Sequence, residues 1–283
     1  MDKEKFLKKI DRIENIPTLP AIAMQVNSML QDYNTSIKML SDTIEKDQAI
    51  VSKILRLVNS AFFGVRSKIS NIPHAITLLG FNTVRNAVVS VSIIEAISIN
   101  GKLPGFDIKD FWKHSVAVAV TSKYIAEKTR LYVPNDCFIG GLLHDIGKIV
   151  LSQHFPEIFV NIIKACQNNK LTFYEIEKKE IPVDHAQIGG YLAKKWQLPV
   201  NLIDAIKYHH AVNNNSYDPN FVMIVNIADV IVNNVAGTGT DIKLTVADPE
   251  VKKAANGIIH AAPDWFPAVS EEIVSACNFF LEE

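Results

Sequence analysis

Neither sign of charge dominates this chain: Lys and Arg number 29 and Asp and Glu 30 among 283 residues. Without a net positive field to release counterions from a phosphate backbone, direct nucleic-acid binding is not expected. Cysteine is scarce. Cys137, Cys166 and Cys277 are odd in number, far apart and free of a C-x-x-C spacing, which argues against a disulfide framework or a structural zinc knuckle. A reducing cytoplasm is the expected location. Long apolar runs are missing as well. The opening stretch MDKEKFLKKIDRIE alternates charged and apolar residues and offers no signal-peptide core. Uncharged stretches such as Asn86–Ile94 and Pro219–Ala228 fall well short of the roughly 20 residues that cross a bilayer, so no membrane partner is expected.

Strand-like alternation is also rare, and the helical period takes its place. The 48% of apolar residues is ample for an extended core. Pro20 opens one expected helix, Ser36 precedes a second and Asp47 caps a third carrying Ile50, Val51, Ile54, Leu55 and Val58 at one-turn spacings. Pro73 fits the first turn of a fourth with Gly80 as its stop, and Asn82 is read as the cap of a fifth. The segment Asn100–Phe106, NGKLPGF, concentrates breakers and marks a boundary between two helical lobes. Beyond it, Asp107 or Asp110 starts a long helix through Thr129, and Asn135 or Asp136 caps one that runs into Leu143 and is interrupted by Gly147. Later helices are expected over 156–168, 172–179, 184–196, 199–211, 219–235, 248–258 and 264–281, the second of these opening on the capping box Thr172-x-x-Glu175. The fold class is all-α, an irregular helical bundle. Residues 1–105 form an N-terminal helical lobe, 106–215 a second lobe, and 216–283 C-terminal helices packed on that second lobe.

Five of the eight histidines and two aspartates gather in the later sequence: His114, His144, Asp145, His185, His209, His210 and Asp229. His114 shares an apolar helical face with Phe111 and Val118, so it points inward and needs a partner there. In Leu142-Leu143-His144-Asp145-Ile146-Gly147-Lys148 an imidazole, a carboxylate and an ammonium fall within one turn of each other. Asp229, inside Val225-Asn226-Ile227-Ala228-Asp229-Val230-Ile231, is a carboxylate in an apolar helix and is costly unless paired. Taken singly these residues have plain explanations. His114 fits a core histidine with its hydrogen bond made, His144-Asp145 an ion pair or cap, and His209-His210 a helix end favoured by the dipole.

As a set, imidazole and carboxylate donors suit zinc, iron, manganese or nickel. A bridging carboxylate, naturally Asp145, could hold a pair of ions about 3.5–4 Å apart, with Lys148 steadying a phosphoryl oxygen. The chemistry implied is phosphoester hydrolysis, with Asp145 and Lys148 as the catalytic candidates. His74, His154 and His260 are expected to be structural or surface residues, Cys137 and Cys166 small core residues, and Lys8-Lys9 and Lys178-Lys179 solvated faces.

The chain resembles the HDOD domain, an HD-related output domain of bacterial signalling proteins. The likeness runs over about residues 13–212. Its carriers are Ile16-Pro17-Thr18-Leu19-Pro20, Ile44-Glu45-Lys46-Asp47, Leu57 to Gly64, Ile72-Pro73-His74-Ala75-Ile76 and Leu78-Leu79-Gly80. The second lobe adds Phe111-Trp112-Lys113-His114-Ser115, Gly140 to Lys148, His185-Ala186-Gln187-Ile188-Gly189 and Ala205 to His210. The resemblance implies an HD-phosphohydrolase-like second lobe, a role in signalling and contacts with other signalling proteins. Many HDOD members have lost part of the HD metal set, whereas this chain keeps residues that match the related HD-GYP phosphodiesterases at His114, His144, Asp145, Lys148, His185, His209, His210 and Asp229. On that likeness His114, His144 and Asp229 would hold one ion, and His185, His209 and His210 the other. The stretch Ala211 to Pro219 contains no Gly-Tyr-Pro and no acidic residue directly after His210, a departure from the HD-GYP pattern that weakens the case for cyclic di-GMP. Two functions follow: an output module with an HD-type metal site, or a metal-dependent phosphohydrolase of a nucleotide or cyclic dinucleotide.

Overall fold

Short polar side chains set seven of the helix starts in the computed structural model, which describes residues 3–11, 20–29, 34–59, 67–96, 103–168, 171–212, 216–234 and 249–281. The first helices are α1 (Lys3–Asp11), α2 (Ala21–Met29), α3 (Ile37–Ile44), α4 (Gln48–Val58), α5 (Ile72–Leu79) and α6 (Phe81–Ala96). Then come α7 (Ile108–Thr129), α8 (Pro134–Leu143), α9 (Ile146–His154), α10 (Pro156–Asn168) and α11 (Phe173–Glu180). The chain continues with α12 (His185–Lys195), α13 (Val200–Tyr208), α14 (Pro219–Asn233), α15 (Pro249–His260) and α16 (Ala262–Leu281). Among the described residues no strand forms, and Leu103 and Phe106 make an isolated bridge. The protein is all-α, as its periodicity predicts. No described helix is long and apolar enough to cross a membrane.

Ser36, Asp47, Asn71, Asp184 and Asp218 each accept from first-turn amides of the helix that follows, and Thr172 and Glu175 make the reciprocal capping box. Asp107, not Asp110, caps α7. Several starts differ from the sequence reading. Asn82 lies inside α6, which begins one residue earlier, directly after Gly80 at φ 85°. Asn135 and Asp136 lie in the first turn of α8, whose cap is Val133, because Pro134 is preorganised for the first helical position and has no amide to satisfy. Helix α1 joins the bundle through Phe6 and Ile10, both fully buried. Gly147 does not end a helix but lies in the first turn of α9. The motif residues 16–19 and 60–64, and the expected loops at Gly101, 213–215 and 237–241, lie outside the described residues.

Two main apolar cores organise the chain. The smaller takes Val26, Leu40, Ile44, Ile50, Ile54, Ile72, Val84 and Val88 from α2 to α6. The larger surrounds α7 and extends to α16, and it also draws in Phe6, Ile10 and Ala23 together with Val89 and Ile93 of α6. Helix α6 is therefore a shared wall, buried on opposite sides by the two cores. A polar seam crosses the same wall: Asn86 donates to the Asp136 carboxylate at 2.8 Å, and Asn27 of α2 donates to the carbonyls of Trp196 and Gln197 at 3.2 and 2.6 Å.

Two glycines set the helix spacing beneath the histidine cluster. A β-carbon on Gly141 would come 2.7 Å from the Ala119 Cα, so α8 can lie against the middle of α7. One on Gly147 would collide with the His185 carbonyl oxygen, so α9 can lie against the start of α12. Such close backbone approach requires glycine.

Candidate metal centre

Helix ends deliver most of the site. His144 closes α8, Asp145 stands at the joint before α9, and Lys148 follows in its first turn. His185 is the first residue of α12, capped by Asp184. His209 ends α13, with His210 next to it. His114 and Asp229 come from the interiors of α7 and α14. All seven imidazoles and carboxylates meet, separated as they are in sequence. They fall into two donor groups, Asp145 with His185, His209 and His210, and His114 with His144 and Asp229, each with donor atoms within 4.8 Å of one another. His74, His154 and His260 join neither group.

Asp145 faces both groups. Its Oδ1 lies 3.0 Å from His185 Nε2 and 3.7 Å from His209 Nε2, while its Oδ2 lies 3.4 Å from His144 Nε2 and 3.7 Å from His114 Nε2. His114 Nε2 also stands 3.1 Å from Asp229 Oδ1. Donors bound at about 2.1 Å to a common ion are themselves roughly 3–3.5 Å apart, so these separations match a first-row metal.

The outer ring nitrogens are committed elsewhere. His144 Nδ1 meets the Gly141 carbonyl and His209 Nδ1 the Ile206 carbonyl, both at 2.7 Å, and His185 Nδ1 meets Glu177 Oε2. A carbonyl or carboxylate can only accept, so in the neutral ring each Nδ1 carries the proton and each Nε2 lone pair is turned inward. His144 Nε2 and Asp145 Oδ1 are buried with no hydrogen-bond partner. His185 Nε2 lies 3.4 Å from His209 Nε2 and 3.0 Å from His210 Nε2, nitrogen facing nitrogen. An arrangement of unsatisfied lone pairs aimed at one space is what a cation would resolve.

The electrostatics follow from this crowding. Burial would raise the Asp145 pKa, but His144, Lys148 and His185 hold it well below the usual carboxylate range. Burial likewise opposes ionisation of Asp229, and the imidazoles of His114 and His144 close to its carboxylate outweigh that and hold its pKa low. Burial disfavours charge on His144 and His185, yet Asp145 and Asp229 carry the first up to about 10, and Glu177 and Asp145 carry the second up to about 9. His209 is pushed down to about 3, first by burial and then by the neighbouring His144 and His185, and His210 is lowered well below its ordinary value by burial and the same kind of neighbours.

The centre has a closed floor and an open side. The side chains of His144, His185 and His209 are fully buried, whereas His114, His210 and Lys148 retain about a fifth of their exposure. Lys148 Nζ sits on Asp145 Oδ2 at this opening. Beside it is a cavity of about 330 Å³ lined by Tyr174, Gln187, Lys207, Tyr208 and His210.

Sequence reasoning passed over Glu177 and Tyr174. Glu177 is fully buried, and Tyr174 stacks on His210 with ring centroids 4.3 Å apart. Both belong to a charged stretch, Tyr174-Glu175-Ile176-Glu177-Lys178-Lys179-Glu180, that reads as a solvated helix. The one available signal was the i, i+4 placement of Glu177 on the face of Phe173.

Comparison with known proteins agrees with this architecture. A crystal structure of an HDOD domain protein from Geobacter sulfurreducens is 26% identical, with a TM-score of 0.77 over 98% of this chain and 97% of that one. A Shewanella amazonensis protein provisionally named a phosphohydrolase shares the fold at 22% identity, with a TM-score of 0.71 over 97% and 96% of the two chains. Among curated proteins, an uncharacterised protein of Treponema pallidum is 26% identical over 201 residues, 71% of this chain. The chain spans only 38% of the length of that relative. The HDOD domain family itself matches residues 16–212, which takes in the smaller core, most of the larger one and six of the seven donors, and on that match the chain belongs to the HDOD domain family.

Proposed function

We propose that the chain is a signalling output module whose HD-type centre holds one or two divalent transition metal ions, of iron, manganese, nickel or zinc. The observation that carries this reading is the inward aim of the Nε2 atoms, with the outer nitrogens of His144, His185 and His209 tied down and two buried polar atoms left unpartnered. His114, His144 and Asp229 would hold one ion, His185, His209 and His210 the other, and Asp145 would bridge. When bound, such ions supply Lewis acidity toward a phosphate ester or phosphate ligand. The protein's own part is to orient that ligand: Lys148, held at Asp145 Oδ2 and partly exposed, offers a point charge to a phosphoryl oxygen arriving from the open side.

The signalling role rests on membership of the HDOD family and on the absence of Gly-Tyr-Pro after His210. The open, lysine-flanked mouth favours a second reading, a metal-dependent phosphohydrolase of a nucleotide or cyclic dinucleotide, and the Shewanella protein's provisional name supports it in kind. One experiment separates the two. Metal content and phosphodiesterase turnover are measured after loading with iron or manganese, beside Asp145→Ala. The expected outcome is up to two ions in the wild type, their loss in Asp145→Ala, and no turnover of nucleotide or cyclic dinucleotide substrates. Turnover that disappears in Asp145→Ala would assign the hydrolase. A wild-type chain that takes up no metal would remove both readings.

A further inference from the structure

The carboxylate of Glu177 lies at the back of the centre and makes no contact with the open side. It is fully buried on α11 and gives both oxygens to one residue: Oε1 accepts from the His185 main-chain N–H at 3.0 Å, and Oε2 meets His185 Nδ1. The main-chain bond alone would make Glu177 an extra anchor for the start of α12. That start already has its cap, because Asp184 accepts from the Gln187 amide at 2.8 Å. The contact with the ring does something else. A carboxylate accepts but cannot donate as its charged form, so it selects the ring form protonated at Nδ1 and holds Nε2 toward Asp145 Oδ1 at 3.0 Å. Its neighbours on α11 also face site residues: Tyr174 stacks on His210, and the Phe173 ring lies beneath Lys148 Nζ at 5.1 Å.

Building on the metal reading above, we propose that Glu177 is a positioning residue for the ion held by His185, His209 and His210, fixing the tautomer and the aim of His185. It touches no ligand from the open side, so its removal weakens one ion and spares the other. Partners of this kind behind a ligating histidine change metal affinity by about 10–100-fold.

The test titrates the full-length, metal-stripped protein with Mn²⁺ alone by calorimetry, with bound manganese counted by elemental analysis. The proteins compared are wild type, Glu177→Gln and Asp184→Ala. Glutamine keeps the shape but has one acceptor for two donors. The expected result is a roughly 10–100-fold weaker site in Glu177→Gln beside a second site of wild-type affinity, with both sites intact in Asp184→Ala, which removes the bonds to the Gln187 amide and side chain and leaves both Glu177 contacts with His185 in place. Wild-type affinity at both sites in Glu177→Gln, with only a lower melting temperature, would overturn the proposal and leave Glu177 an anchor of α12. Uptake of no Mn²⁺ by the wild type would overturn the metal reading and this role together. Should Glu177→Gln fail to fold, ¹⁵N spectra of the histidine rings in the Zn²⁺-loaded wild type decide the matter: His185 protonated at Nδ1 supports the role, and protonation at Nε2 overturns it.

Discussion

His144 and His185 are where single residues say most about how the centre loads. Burial pushes both rings toward the neutral form, and the facing carboxylates reverse that, leaving pKa values of about 10 and about 9 before any metal arrives. Both are raised, so the ion pairs they make are fully present below the ordinary imidazole pKa and are lost as pH climbs through about 9 to 10. A metal needs the neutral ring. At pH 7 each ion therefore has to expel a proton from one of these two rings, while His209 at about 3 and the lowered His210 are already neutral. Loading both ions is expected to release about two protons, and the apparent affinity for each should rise about tenfold per pH unit between pH 7 and 8. Calorimetry in two buffers of different ionisation enthalpy measures this directly, and a buffer-independent heat would contradict it. At this scale the sequence was most informative about side chains whose chemistry is unusual for their surroundings. Asp229 amid apolar residues stood out for that reason. Glu177 did not, because a glutamate next to two lysines looks the same in sequence whether it faces water or an imidazole.

Helix starts were legible wherever a short polar side chain or a proline made them, as at Ser36, Asp47, Thr172 and Pro73, since capping is a local interaction between neighbours. What was not legible depended on packing between helices distant in sequence. Helix α1 has Phe6 and Ile10 as buried anchors among its described side chains, in a charged segment, and Gly147 resembles a helix breaker until α12 is seen against it. The glycines of this chain therefore differ in what they do. Gly147→Ala drives a methyl group into the His185 carbonyl, so α9 and α12 must separate, at a cost of about 1–3 kcal/mol and with His185 displaced from Asp145. Gly257 lies within α15 with nothing within 4 Å of its would-be β-carbon, and Gly257→Ala is expected to stabilise the protein by about 0.5–1 kcal/mol through helix propensity. Denaturant unfolding of the two variants, with bound metal counted alongside, should show opposite shifts in midpoint and metal loss in Gly147→Ala alone.

Over the whole molecule, the sequence reading sets a boundary between an N-terminal lobe, residues 1–105, and a second lobe at the breaker-rich stretch that ends at Gly105 and Phe106. The cores do not divide at the same place, because Phe6, Ile10, Val89 and Ile93 are buried with the second lobe. Non-local burial of this sort has no signature in a helical pattern, since the period gives the apolar face but not the helix that will cover it. All seven donors nonetheless come from α7, α8, α12, α13, α14 and the joints beside them, whose apolar residues belong to the larger core. The seam to the other core is polar. Asn86 stands between Arg85, whose guanidinium donates to its Oδ1 at 2.8 Å, and Asp136, to which it donates. Arg85 is brought down to about 10 by burial, with Asp136 partly compensating. Asn86→Ala leaves a buried guanidinium and a half-buried carboxylate short of partners, which should cost about 1–3 kcal/mol. Asp136 is eight residues before His144, roughly 12 Å along the helix axis, so the donor geometry is not in reach of that change. Unfolding followed by circular dichroism should therefore show a lower midpoint while bound metal per chain stays at the wild-type value. Metal lost together with the seam would mean that the centre depends on how the two cores are clamped across α6, and that the second lobe cannot hold its ions without the first.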